Sequence, residues 1–440
     1  MEKRMESVWH DTEKMPRFES LQGDVRTDVL IIGGGITGIL CAYFMKERGI
    51  DCLLVEGGEI CGGVTGNTTA KITAQHGLIY ADMIKHKGLE KTKLYLEANQ
   101  RAVRKFAGLA AGIDCGFEEK TAFVYSLDNR KKLEKEAEAY RMLGLEDEIA
   151  DTAELPFSTA GAVRMKGQAQ FHPLKFLSQI ARDLNIREHS FVTQIMPGRV
   201  VTAQGSVAFE RAIFATHYPI DNKHGCYFLK LYQHRSYVIA LQQAAHLEGM
   251  YVDEDRKGMS FRGCGDLLLV GGGGHRTGKQ GGNWQELRDF AAQYYPDASE
   301  KYCFAAQDCM PLDNIPYIGA YSPAMPGCYV ATGFHKWGMT SAMAAAELLA
   351  DLLEEVENPY AALFNPSRNI FTKQLLFNGA EAVMNLLTPT VPRCPHMGCA
   401  LKWNPAEHSW DCPCHGSRFA EDGRLLDNPA NGDLHRGTGT

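Results

Sequence analysis

The chain has 440 residues, 45% hydrophobic and 22% charged, with a formal net charge of -7. That length implies roughly two or three structural units, and the acidic balance without a Lys/Arg-rich run excludes a nucleic-acid footprint. No stretch of about 18 uncharged apolar residues is present to span a bilayer, and the charged start "MEKRMESVWHDTEK" is unlike a secretory leader. The expected address is therefore the cytoplasm, and the expected partners are small molecules or proteins. Nine of the 13 cysteines are scattered along the chain, as small buried hydrophobes are in a reducing compartment. The other four fall close together, within residues 393–419.

After a polar arm over 1–26 comes "TDVLIIGGGITGILCAYFMKERGIDCLLVE", residues 27–56, which reads as strand, glycine turn, helix, strand. Its fingerprint is Gly33-x-Gly35-x-x-Gly38, closed by Glu56 at the end of the second strand. Gly33 permits the tight turn, Gly35 lets backbone approach a pyrophosphate at the helix N-terminus, and Gly38 lets helix and strand pack closely. Glu56 is placed to accept from a ribose hydroxyl. From about 80 to 155 the pattern is charged and helical. Short strands follow over 198–218, and the strand pattern continues through "SYVIALQ", "GMSFRG" and "DLLLVGGGG". The run Gly271–Gly274 leads into no immediate helix and reads as a turn. Residues 327–355 again give strand, glycine turn and long helix, and a helical stretch near 368–387 leads into the cysteines. One dinucleotide unit rather than two favours FAD reduced by an organic substrate over a flavin enzyme fed by NAD(P)H.

The segments "DVLIIGGGITG", "LLVEGGEICGGVTGNTTAKITAQHG", "AIFATHYP" and "YVATGFHKWGMTSAMAAAELLADLL" resemble the D-amino-acid-oxidase-like FAD-dependent oxidoreductases, the glycine and sarcosine oxidase relatives, over roughly 27–355. The resemblance implies a split FAD domain of the Rossmann-like (GR2) type, an inserted α+β substrate domain, and hydride transfer to flavin from a C–H beside an amine nitrogen. It puts the loop from Thr65 through Thr69 to Lys71 near the flavin ring. It also puts the turn Gly333 to Gly338, with Lys336, at the ring's pyrimidine edge, where positive charge favours the reduced form. Arg262 is the candidate to hold a substrate carboxylate. For all three charged residues an ordinary exposed side chain is the plain alternative.

The stretch "RCPHMGCALKWNPAEHSWDCPCHGSRF" reads Cys394-x-His396, fifteen residues, then Cys412-x-x-His415. Two Cys and two His at this spacing resemble the Rieske pattern, in which one iron of a [2Fe–2S] cluster takes two thiolates and the other two imidazoles. That resemblance implies that Cys399 and Cys414 form a disulfide linking the two loops, and that His396 and His415 are the exposed ligands through which electrons leave. A structural zinc site with the same four ligands stays open, although it leaves Cys399 and Cys414 without a role. Helical sequence runs almost to Pro392, so the unit is shorter on its N-terminal side than Rieske domains usually are.

The expected fold is α/β. FAD-binding parts lie at 27–80, 156–220 and 301–356; a helical insertion at 81–155 and a sheet at 221–300 form the substrate domain; a helical linker spans 357–390 and a small all-β Rieske-like unit 391–440. The expected function is FAD-dependent oxidation of a small amine or amino acid, with electrons passed to the cluster and on to an external carrier. Two alternatives remain: an oxidase using O2 with a zinc tail, and a reductase in which electrons run from cluster to flavin. A Rieske oxygenase is set aside because no 2-His-1-carboxylate site is evident.

Overall fold

The computed structural model describes residues 5–255, 258–369, 371–389 and 392–434. The first four residues of the expected arm, the expected 390/391 boundary and the last six residues of the chain lie outside the described residues.

Among the described residues the strands form three sheets. In the first, Gly23–Ile32 lies parallel to Cys52–Val55 on one side and to Gly205–Phe214 on the other. Its last four residues, Val29 to Ile32, are all buried, as an apolar run covered on both faces must be. Cys328–Thr332 extends the sheet in parallel, and Tyr317–Ala320 closes it antiparallel. The crossover helix Ile36–Glu47 packs against Gly338–Leu353, whose alanine-rich face allows close approach. This sheet draws on three separated stretches of chain.

The second sheet runs in the order Ser299–Pro311, Leu231–Gln242, Leu267–Arg276, Ser260–Cys264, Met250–Asp253, Glu118–Ser126, Gly161–Gln170, Lys71–Ile72. It is antiparallel except where Met250–Asp253 meets Glu118–Ser126. Three differences from the sequence reading appear here. The helical stretch 81–155 contains the strand Glu118–Ser126, whose charged, exposed start hides its buried, β-rich end. Ser299–Pro311 and Gly161–Gln170 belong to this sheet rather than to the nucleotide-binding one. Gly271–Gly274 lies inside a strand, not a turn; a Cβ on Gly271 would come within 2.8 Å of Ser260 Oγ and one on Gly274 within 2.8 Å of the His234 ring, so the glycines there serve close packing.

The third sheet is small and antiparallel: Lys402–Asn404, Ser409–Asp411, Arg418–Ala420 and Leu425–Asp427. Its core is built from cysteines with Leu401, Phe419 and Ala430. No described helix is long and apolar enough to cross a membrane.

Candidate functional site

The glycine turn gathers Gly33, Gly35, Gly38, Glu56 and Thr65. Gly33 has φ +110°, and a Cβ there would sit 2.6 Å from the Ala215 carbonyl oxygen, while one on Gly38 would overlap the carbonyl of Gly33. Gly35 is the N-cap of the helix, and Ile36 N–H donates to Thr65 Oγ1 at 3.0 Å. The Glu56 carboxylate accepts from the backbone of Gly34 at 2.6 Å and Gly58 at 2.7 Å, fixing the loop on both sides. The turn thus puts no side chain of its own ahead of the helix N-terminus, the place where a pyrophosphate would bind, although Thr65 Oγ1 already takes the first helix amide.

A cavity of about 540 Å³ lies between the second sheet and the loops 64–79 and 335–339. Thr69, Lys71, Lys336 and Gly338 all line it. Gly333, at φ +73°, starts the turn that carries His335 and Lys336, both also at positive φ; a non-glycine pair held so is backbone strain at a site. Burial pulls the Lys71 ammonium down to about 7, with the Arg262 charge adding to the effect. His76 is pulled down to about 3 by burial; it bonds to Tyr95, Thr73 and Thr340 and stacks on Trp337, a structural role.

Arg262 is placed elsewhere. Its buried guanidinium donates to the carbonyls of Thr69 at 2.8 Å and Ala70 at 2.9 Å and lies over the Trp9 ring. It is spent on shaping the loop that carries Lys71 and does not reach into the cavity as a carboxylate clamp. The sequence reading missed the cavity's acids. Glu136 is pushed up to about 7 and Asp253 to about 6, both by burial, and burial also raises Asp308 against the pull of Lys336 and His217. The signal was present only for Asp308, which with Gln307 forms a polar pair inside the apolar strand "CFAAQDCMP".

An unfolded lysine keeps its proton to 10.5, whereas folded Lys71 gives it up near 7. Between those pH values the unfolded chain binds more protons, so this residue makes stability rise with pH. Lys71→Met removes the dependence: the variant is expected to melt above the parent at pH 7, with the gap closing as pH approaches 10.5. Thermal unfolding of the flavin-loaded proteins across that range checks it.

The cysteines and histidines lie on two loops with one hydrogen-bond pattern. In the first, Cys394 N–H donates to Cys399 O and Gly398 N–H to Cys394 O; in the second, Cys412 N–H donates to Ser417 O and Gly416 N–H to Cys412 O, all at 2.8–2.9 Å. Gly398 and Gly416 both hold positive φ, as each loop must turn back over its first cysteine. The thiols of Cys394 and Cys412 hydrogen-bond to each other, which pulls Cys394 down and pushes Cys412 up. The rings of His396 and His415 stand perpendicular with centroids 4.9 Å apart. Both Nδ1 atoms are buried without a partner, and each would cost a few kcal/mol if left so. Two thiols on one side and two orphaned imidazole nitrogens on the other fit a [2Fe–2S] cluster of the Rieske type. The disulfide Cys399–Cys414 joins the loops, Cα to Cα 6.7 Å. Among the described residues the sulfurs of Cys399, Cys412 and Cys414 lie within 4.8 Å of one another, but two of these are bonded together and leave one thiol to a metal.

The outer edges of the imidazoles are less open than expected: His415 is buried and His396 half-buried. His396 Nε2 bonds Asn222 Oδ1 at 2.8 Å, and His415 bonds the backbone of Phe228. The short helix at 227–230 and the loop before it cover them, because the whole β unit is docked. Arg276 donates to the carbonyls of Pro413 and Cys414, Gln307 to Gly416 O, and Asn428 to Thr216 O and Tyr218 O. A buried ion-pair network centred on Glu407 completes the contact. It takes Arg235, Arg418 and the Tyr237 hydroxyl, and Tyr237 is itself part of the cavity wall.

Comparisons with known proteins agree with both sites. Residues 28–352 match the family described as FAD dependent oxidoreductase, and residues 381–436 the Rieske [2Fe-2S] domain. The Rieske 2Fe-2S iron-sulfur protein YhfW of Bacillus subtilis is 34% identical over 488 aligned positions, covering 97% of this chain and 96% of that protein. Cytochrome b6-f complex iron-sulfur subunit 3 of Nostoc is 50% identical over 40 residues, 9% of this chain and 22% of that protein. In fold the chain is similar to glycine oxidase from Geobacillus kaustophilus, with a TM-score of 0.67 and 20% identity over 79% of this chain and all of that one. L-amino acid deaminase from Proteus vulgaris gives 0.62 and 17% identity over 82% of this chain and 98% of that one. With a nucleotide cradle at one end and paired thiols and imidazoles at the other, this chain belongs to the FAD dependent oxidoreductase family and carries a C-terminal Rieske [2Fe-2S] domain.

Proposed function

We propose that the chain oxidises a small amine or amino acid, a bound FAD being what would accept the hydride from the carbon beside nitrogen and a Rieske cluster what would carry electrons singly to an external acceptor. The observation that carries this reading is one strand, Ser299–Pro311. Asp308 lines the cavity, and its neighbour Gln307 donates to Gly416 O at 2.8 Å, one residue past His415. Cavity and metal loop are therefore linked through consecutive residues of one strand, the arrangement that an internal electron relay calls for.

The residues of the cavity have separable tasks. Glu136, Asp253 and Asp308 put carboxyl groups around it, which suits a cationic amine; Lys135 also lines it, while Lys132 there is paired with Glu254. Lys71 Nζ, unprotonated above about pH 7, is the base that takes the ammonium proton, since hydride leaves only from a carbon beside a neutral nitrogen. Lys336, on the cavity wall, would place positive charge beside a bound flavin. Glu56 and the glycine turn hold the nucleotide. Cys394, Cys412, His396 and His415 hold the cluster, and Asn222 and Phe228 orient its imidazoles.

Turnover of an amine and amino-acid panel, followed with ferricyanide as acceptor and separately by oxygen uptake, tests the reading. Ferricyanide-dependent oxidation with little oxygen consumed is expected. Oxygen uptake that tracks turnover, in protein holding zinc in place of iron, would favour the oxidase with a structural tail. A cluster potential well below that of the flavin would favour flow in the opposite direction.

A further inference from the structure

The helix Lys373–Leu387 is inside out. Its polar residues face the protein: Asn378 and Asn385 are buried, Asn378 Oδ1 accepts from Arg276 at 2.8 Å, Glu381 pairs with Lys279, and Asn385 O accepts from Ala400 N–H. These bonds fix the rotation of the helix, so its apolar side is turned outward. Leu376 is 76% exposed, Met384 66% and Leu387 77%, with Phe377 and Val383 between them and Phe371 and Met397 alongside. A surface helix normally shows the opposite arrangement.

We infer that this face is where two copies of the chain associate. At ~150–200 Å² for a large side chain, these residues with Leu386 expose on the order of 900 Å² of apolar surface. The largest patch on an ordinary monomer is about 300–600 Å², whereas each partner of a standard interface gives about 800 Å². The size and uniformly apolar character are those of a lasting self-contact rather than of a transient redox encounter, whose interfaces are small and polar-rimmed. A bilayer surface is a poor match, because helices that lie on membranes carry a cationic polar face, while the polar side of this one is Asn378, Glu381 and Asn385 turned into the protein. The face is also self-complementary. Ala380 is exposed at its centre and a Cβ on Gly379 would meet nothing within 4 Å, so the same helix of a second copy can cross there antiparallel, large residues on either side of a small middle. Met397 belongs to the first metal loop, so association would cover that loop's outward side.

Sedimentation velocity on the full-length protein with both cofactors bound tests this, at micromolar concentration. The parent is expected at twice the chain mass, and Leu376→Glu/Met384→Glu at the single mass, with a dissociation constant raised by ~30-fold or more. Unchanged flavin and cluster absorption certifies the variant's fold, and Leu387→Glu, at the helix end, serves should the double variant lose it. A monomeric parent, a folded variant that stays dimeric, or a monomeric parent that floats with phosphatidylcholine/phosphatidylglycerol vesicles would each overturn the inference.

Discussion

Cys394→Ser is expected to leave FAD bound and the C-terminal unit without its cluster. Cys394 is buried with its thiol against that of Cys412, and a serine hydroxyl at that point is too hard a ligand for iron held by thiolates. Iron content and the low-field electron resonance signal should fall to background, while flavin absorption per chain stays at the parent's value because the glycine turn shares no strand with the metal loops. Metal analysis and absorption spectra on the purified pair check both halves. A parent carrying zinc, with no resonance signal to lose, would contradict the cluster assignment.

Glu407→Ala is expected to undock the unit. Glu407 is buried between Arg235 and Arg418 and accepts from Tyr237 at 2.9 Å. Burial raises the carboxyl, but the two guanidinium groups outweigh it and hold it below the usual carboxylate range. Truncation takes from buried Arg235 its close carboxylate, leaving it Asp427 at 3.9 Å, while Arg418 keeps Asp411 and Asp427; removing one partner of such a network costs about 3–5 kcal/mol. The expected outcome is a lowered melting temperature and a cluster that still assembles but is reduced far more slowly, while substrate still bleaches the flavin. The same logic fixes a pH dependence. A carboxylate depressed on folding stabilises fully above its unfolded value of 4.5 and loses that contribution as pH falls toward the folded one. The parent should therefore approach the variant's behaviour in acid. Stopped-flow reduction and thermal unfolding of parent and variant at neutral and acid pH measure it.

The parts legible in sequence are those whose chemistry is local. Gly33, Gly35, Gly38 and Glu56 fall within 24 residues, and the spacing Cys394-x-His396, Cys412-x-x-His415 carries its pattern within two loops. What sequence left hidden depends on contacts between distant segments. Tyr237 meets Glu407 across 170 positions and His396 meets Asn222 across 174, so no local pattern announces that the unit docks or that its imidazoles turn inward. Arg262 misled for a related reason. A buried arginine in a strand reads the same whether it binds a substrate carboxylate or, as here, the carbonyls of Thr69 and Ala70. The helix Lys373–Leu387 is visible by period, yet which side faces out is set by Arg276 and Lys279, about a hundred residues upstream.

In the proposed function electrons move within one chain from the flavin to the cluster. Anaerobic rapid mixing of the two-cofactor protein with an oxidisable amine or amino acid, following flavin and cluster absorption together, tests it directly. The flavin should bleach first and the cluster then reduce at a rate unchanged when the protein is diluted. A flavin that bleaches fully beside a cluster that stays oxidised, or a cluster rate that falls with dilution, would contradict it.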